Sequence, residues 1–200
     1  ILQNSLFQPQ SDWSVPDFFP QFSETETVAI DLETYDPHLM TCGPGWATGR
    51  GHVVGIGVAT KDWEGYFPIR HEGGGNLDEG IVLRWLTNLL KSTKREVVFH
   101  NALYDVGWLR REGVIVHGKI LDTIIAAPLL NENRFSYSLD NLGVEYCDER
   151  KDESLLKNAA LAFGINPKSE MYKLHAKYVG PYGQQDASLT LKLWNKLKIE

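Results

Sequence analysis

The run Thr27-Val-Ala-Ile-Asp-Leu-Glu33 limits the possible folds of this chain more than any other stretch. Its apolar and β-branched residues suit a buried strand, and it ends on two acids placed two apart. Side chains alternate along a strand, so Asp31 and Glu33 point to one face, beside one point in space. The two acids stand where the local pattern changes from one element to the next, which is where open α/β sheets place their ligand sites.

The rest of the chain fits that frame. His52 to Thr60 and Gly65 to Arg70 read as a second and third strand joined as a hairpin around Lys61 to Glu64. Asp78 to Lys91 has the apolar recurrence of a helix, and Glu96 to Phe99 reads as a fourth strand. Asn101 is expected to cap a second helix that carries Asp105 and stops at Gly113. Lys119 to Asp122 reads as a fifth strand. Thr123 to Leu130, Ser138 to Leu142 and Ser154 to Phe163 read as helices, and Pro181 to Lys198 as a long closing helix with its proline near the first turn. Strands come first and helices dominate the rest, without repeats. Before them, residues 1–26 mix Pro9, Pro16 and Pro20 with Trp13, Phe18, Phe19 and Phe22, which predicts an arm whose aromatics dock on a domain formed by residues 27–200.

Composition sets outer limits. With 200 residues and 42% hydrophobic content, one substantial core is expected and a second is not required. No apolar run reaches the length of a membrane span, and the first residues lack a signal-peptide pattern, so a soluble, cytoplasmic protein without membrane partners is expected, working as a monomer. Cys42 and Cys147 are too few and too far apart for a disulfide framework. A chain that begins with Ile1 is read as a processed product or a piece of a larger protein. The formal charge of −6 argues against a broad basic surface for coating nucleic acid. It does not exclude a site that gathers carboxylates around divalent cations, because bound metal reverses the sign that a phosphate meets.

Three clusters carry the chemistry: Asp31-Leu-Glu33, Asn101-Ala-Leu-Tyr-Asp105 and Tyr182-Gly-Gln-Gln-Asp186. Residues four apart share a helix face, so Asn101 with Asp105, and Tyr182 with Asp186, can each face a common site. Singly, each has an ordinary explanation: a solvated strand end, an acid favoured in an early helical turn, a packing tyrosine. Together, paired carboxylates that repel one another are relieved by a hard, oxygen-seeking cation such as Mg²⁺ or Mn²⁺.

On these motifs the sequence resembles the DEDD superfamily of 3′-to-5′ exonucleases, in the subgroup with Tyr in its third motif. The resemblance spans Val28 to Leu197. Leu121-Asp122-Thr123, Tyr137-Ser-Leu-Asp-Asn-Leu142 and Tyr178-Val-Gly-Pro-Tyr182 are similar to the proofreading domain of family A, phage-like DNA polymerases. The resemblance implies a ribonuclease H-like α/β fold, with a central mixed five-stranded sheet flanked by helices and its second strand antiparallel. It also implies hydrolysis of single-stranded DNA from the 3′ end, releasing nucleoside 5′-monophosphates. Two cations about 3.5 to 4 Å apart would activate water and stabilise the leaving oxygen. Asp31 would bridge both, Glu33 and Asp186 would hold the one beside the water, Asp105 would hold the second, and Tyr182 would orient the nucleophile. Thr34 and Asn101 would meet the substrate. A polymerase domain in the parent protein is the implied partner.

The stretch from Asp36 to Gly51 departs from the compact family pattern in being longer and rich in glycine. There Trp46 could stack on a base and Arg50 could meet a phosphate, or both could fold the loop down. Asp122 is read as a helix cap and His100 as structural. Two rival functions remain: an exoribonuclease of the ribonuclease D type, and a noncatalytic nucleic-acid-binding domain.

Overall fold

A computed structural model of the chain describes residues 8–199; the first seven residues of the expected arm lie outside them. The strands are β1 (Val28–Tyr35), β2 (His52–Ala59), β3 (Glu64–Pro68), β4 (Glu96–Phe99) and β5 (Lys119–Asp122). They form one mixed sheet in the order β3-β2-β1-β4-β5. β2 runs antiparallel to β1 and β3, while β4 and β5 are parallel to β1. Between them and beyond lie α1 (Leu39–Cys42), α2 (Gly45–Thr48), α3 (Glu79–Leu90), α4 (Ala102–Arg111), α5 (Thr123–Leu130), α6 (Leu139–Leu142), α7 (Ser154–Phe163) and α8 (Ala176–Leu197).

The alternation of β1 sorts the layers. Val28, Ile30 and Leu32 enter a core with Val82, Leu86 and Leu90 of α3 and Trp108 and Leu109 of α4. Ala29 faces the other way and packs with Val98, Leu121 and Leu191 of α8. The Asp36-to-Gly51 link holds the two short helices α1 and α2 where only a loop was expected. Asp36 fixes it, accepting from the Gly45 N–H at 2.9 Å and from the Tyr104 hydroxyl at 3.0 Å.

The closing helix corrects one expectation. It starts at Ala176 and carries Pro181 in its interior. His175 caps it, its Nδ1 accepting from the Lys177 N–H at 3.2 Å. Proline lacks the N–H that would bond the carbonyl one turn back, that of Lys177. The Ser11 hydroxyl of the arm donates to that carbonyl instead, at 2.8 Å. A bond from outside the helix thus allows what sequence position alone disfavours. Elsewhere in the arm, Trp13 meets Tyr66 edge-on at 6.2 Å, Phe19 stacks on Phe67 at 5.6 Å, and Phe18 is exposed. Among the described residues no helix is long and apolar enough to cross a membrane.

Candidate active site

β1 presents Asp31 and Glu33, and the residues paired opposite them on β2 are Gly57 and Gly55. Opposed residues share a sheet face, so β2 contributes no side chain beside the acids. The clearance is used by α8. A methyl group on Gly57 would lie 2.2 Å from the Gly183 carbonyl oxygen, and one on Gly183 would lie 2.6 Å from the Tyr66 ring. The helix therefore rests directly on the sheet, and Asp186 reaches the strand acids: ligand oxygens of Asp31, Glu33 and Asp186 all lie within 4.8 Å of one another. Tyr182, one turn before Asp186, packs at the edge of the same cluster.

Asp105 lies in the first turn of α4, buried. It stands outside the tight group of three but close enough to Asp31 for the two charges to oppose each other. Asn101 corrects another expectation. It occupies the cap position of α4 in a left-handed conformation, φ 80°, and its side chain makes no capping hydrogen bond. Asp122 does the capping, accepting from the N–H groups of Asn101 at 3.0 Å and Ala102 at 2.8 Å, and from Ile124 at the start of α5. One carboxylate starts two helices, as its structural reading required. The Asn101 side chain is left exposed on a strained backbone, an arrangement common at functional sites.

The acids shift one another. Burial, then the nearby Asp186, pushes Asp31 up to about 7 despite Lys151. Burial lifts Glu33 well above the carboxylate range, with Asp31 and Asp186 adding to it. Asp105 rises through burial and Asp31, against a backbone hydrogen bond from Leu32. Burial raises Asp186 too, opposed by Lys151. Burial and the three carboxylates drive the Tyr182 phenol far above its ordinary value, so it keeps its proton at neutral pH. Asp186 Oδ1 is buried without a hydrogen-bond partner. An all-carboxylate donor set with an orphaned oxygen fits a hard divalent cation.

Other expected residues lie around this centre. The Thr34 hydroxyl pairs with the Tyr104 hydroxyl at 2.8 Å. Trp46 is half-buried, its ring lying where a methyl on Gly107 of α4 would be. Arg50 is exposed, its guanidinium 3.5 Å from Cys42 Sγ, while its carbonyl accepts from Arg111. Both residues sit on the loop that Arg111 also ties down through the Gly45 carbonyl. His100 bonds Thr123 Oγ1 through Nδ1 at 2.8 Å, and burial lowers its pKa to about 4, so it stays neutral and structural.

Lys151 escaped the sequence reading. Its ammonium lies 2.5 Å from Asp186 Oδ2 and 3.0 Å from the Tyr182 hydroxyl. In sequence it stands inside Asp148-Glu-Arg-Lys-Asp-Glu153, which reads as a solvated charge run. The paired glycines of β2 and α8 were missed too, although the alternation Gly55-Ile-Gly57 was a signal for a close approach on one face.

Residues 12–200 match the profile of a 3′-5′ exonuclease family of the DNA polymerase A type. The whole chain is 39% identical to a DNA-directed DNA polymerase of Pseudomonas phage M6, covering 31% of that protein. It is 27% identical to DNA polymerase I of Pseudomonas aeruginosa, over 89% of the chain and 19% of that protein. The chain thus spans less than a third of the length of these curated relatives. Among solved structures, Escherichia coli RNase D, an exoribonuclease involved in structured RNA processing, shares the ribonuclease H-like fold. Its TM-score is 0.54 at 17% identity, over 87% of this chain and 39% of that one.

Proposed function

This chain belongs to the 3′-5′ exonuclease family, and on that premise we propose that it hydrolyses the terminal phosphodiester bond at the 3′ end of single-stranded DNA. The observation that carries the reading is the convergence of Asp31, Glu33 and Asp186 within 4.8 Å, with a protonated Tyr182 beside them and Asp105 behind. The choice of DNA rests on the polymerase relatives. In a longer protein the same activity would serve as the proofreading function of an attached polymerase, in the cytoplasm of a bacterial or phage-infected cell. Residues 27–200 would form the catalytic domain and residues 1–26 its arm, a division supported by the docking of Trp13 and Phe19.

Asp31, Glu33 and Asp186 would hold one divalent cation, and Asp31 with Asp105 a second, Mg²⁺ or Mn²⁺ in both places. When bound, these ions supply water activation and neutralise charge on the leaving oxygen. Tyr182 keeps its proton and therefore works as a hydrogen-bonding group that orients the attacking water rather than as a base. The exposed Asn101 amide is free to meet the terminal nucleotide, and Thr34 is fixed beside the acids by Tyr104. Arg50 is exposed and available to a phosphate, whereas Trp46 would act mainly by clamping its loop to α4.

The test presents 5′-labelled single-stranded DNA, duplex DNA and RNA of matched sequence to the protein with Mg²⁺, Mn²⁺ or EDTA, alongside Asp31→Ala. Stepwise shortening of single-stranded DNA, lost in EDTA and in the variant, supports the proposal. Preference for RNA would move the chain to a ribonuclease D-type activity, and no cleavage of any substrate would leave a binding domain.

A further inference from the structure

Carboxylates whose oxygens lie within 4.8 Å of one another must either take up protons or gather positive charge among them. Among the described residues, the one ion pair made by any of Asp31, Glu33, Asp105 and Asp186 is with Lys151. The lysine side chain is 11% exposed. Its ammonium touches Asp186 and the Tyr182 hydroxyl and lies 4.5 Å from the Tyr182 ring centre. A compact ammonium with three donors on a flexible stem is the side chain best suited to stand in for an ion and then leave.

We propose that Lys151 is a resident counter-ion of the acidic cluster, occupying a cation's place until a divalent ion displaces it. This rests on the reading of Asp31, Glu33 and Asp186 as cation ligands. The backbone around Lys151 is pinned, so displacement would move the side chain alone. The Lys151 N–H donates to Asp140 Oδ1 at 3.0 Å, and Gln185 of α8 accepts from the Asp152 N–H at 2.8 Å and donates to the Arg150 carbonyl at 3.4 Å. Next to it opens a cleft of about 390 Å³ lined in part by Asp140, Glu153, Lys157 and Lys168, into which the displaced side chain can turn. The same movement frees the Tyr182 oxygen from its lysine donor. Ion loading and release of the residue that orients water thus become one event.

Calorimetric titration with Mn²⁺ tests this on the full chain and on Lys151→Met, Lys151→Gln and Asp186→Ala, each melted in EDTA to verify folding. Removing the competitor should tighten Mn²⁺ binding by roughly 10- to 100-fold in the two lysine variants, and Asp186→Ala should weaken it. The lysine variants should also melt lower than the parent in EDTA and recover most of that difference on adding Mn²⁺. Equal or weaker Mn²⁺ affinity in whichever lysine variant folds overturns the counter-ion and leaves the nuclease reading standing. Failure of the parent chain to bind Mn²⁺ overturns the cation-ligand reading beneath it.

Discussion

The two faces of β1 differ in kind, one apolar and one acidic. Val28, Ile30 and Leu32 enter a dry core against α3 and α4, where each apolar side chain contributes about 1.5–3 kcal/mol by leaving water. Ala29, Asp31 and Glu33 face α8, where burial of the two acids works against folding until a cation offsets their charge. One strand thus carries apolar packing at Val28, Ile30 and Leu32 and the candidate cation ligands at Asp31 and Glu33. A slip in register by one residue would exchange them, so the dry face also secures the position of the acids.

The sharpest way to break this contrast is to remove an acid. Asp31→Ala or Asp186→Ala should take turnover below detection in a labelled-strand assay. The melting temperature in EDTA should stay unchanged or rise in Asp31→Ala because repulsion is relieved, and should fall in Asp186→Ala because Lys151 loses its ion-pair partner. Loss of folding in either variant would show that the two faces are not separable. Tyr182→Phe should lower turnover by about 10- to 1000-fold, the scale of one lost positioning contact, and an unchanged rate would demote Tyr182 to packing. On the dry face the balance reverses: Ile30→Ala should cost about 2–5 kcal/mol in denaturant unfolding and leave Mn²⁺ affinity of the folded protein nearly unaltered. The smallest effect concerns pH. In the metal-free protein Asp31 holds its proton to about 7, against 3.8 ordinarily. The folded state therefore binds more protons than the unfolded chain between these values, and stability falls as pH rises through that window. The melting temperature in EDTA should drop by a few degrees between about pH 5 and 8, and Mg²⁺ should reduce the drop. A flat profile in EDTA would mean that the acids are not held together without metal.

The regular elements were legible because their signals are local. β4, β5, α5 and α7 match their expected spans, since each depends on periodicity and turn residues within its own stretch. The acids were legible because spacing of two on a strand and four on a helix fixes a shared face. What escaped depends on contacts between distant segments. Lys151 follows a single π-helical turn, Gly143–Cys147, in an irregular stretch with no period that could predict its direction. The start of α8 was placed too late because a proline usually marks a first turn, and the hydroxyl that relieves it comes from Ser11, at the other end of the chain. Asn101 was read as a cap because its type favours that role, but Asp122 fills it across the sheet edge.

The Ser11 bond has a mechanical meaning as well. It grips the backbone of α8 at Lys177, in the turn just ahead of Tyr182, at the point where Pro181 has already removed one of the helix's own bonds. Tension applied to the arm is therefore delivered through this bond to the helix that carries Tyr182 and Asp186. The arm thereby ties the far end of the chain to the same helix that brings Asp186 against β1.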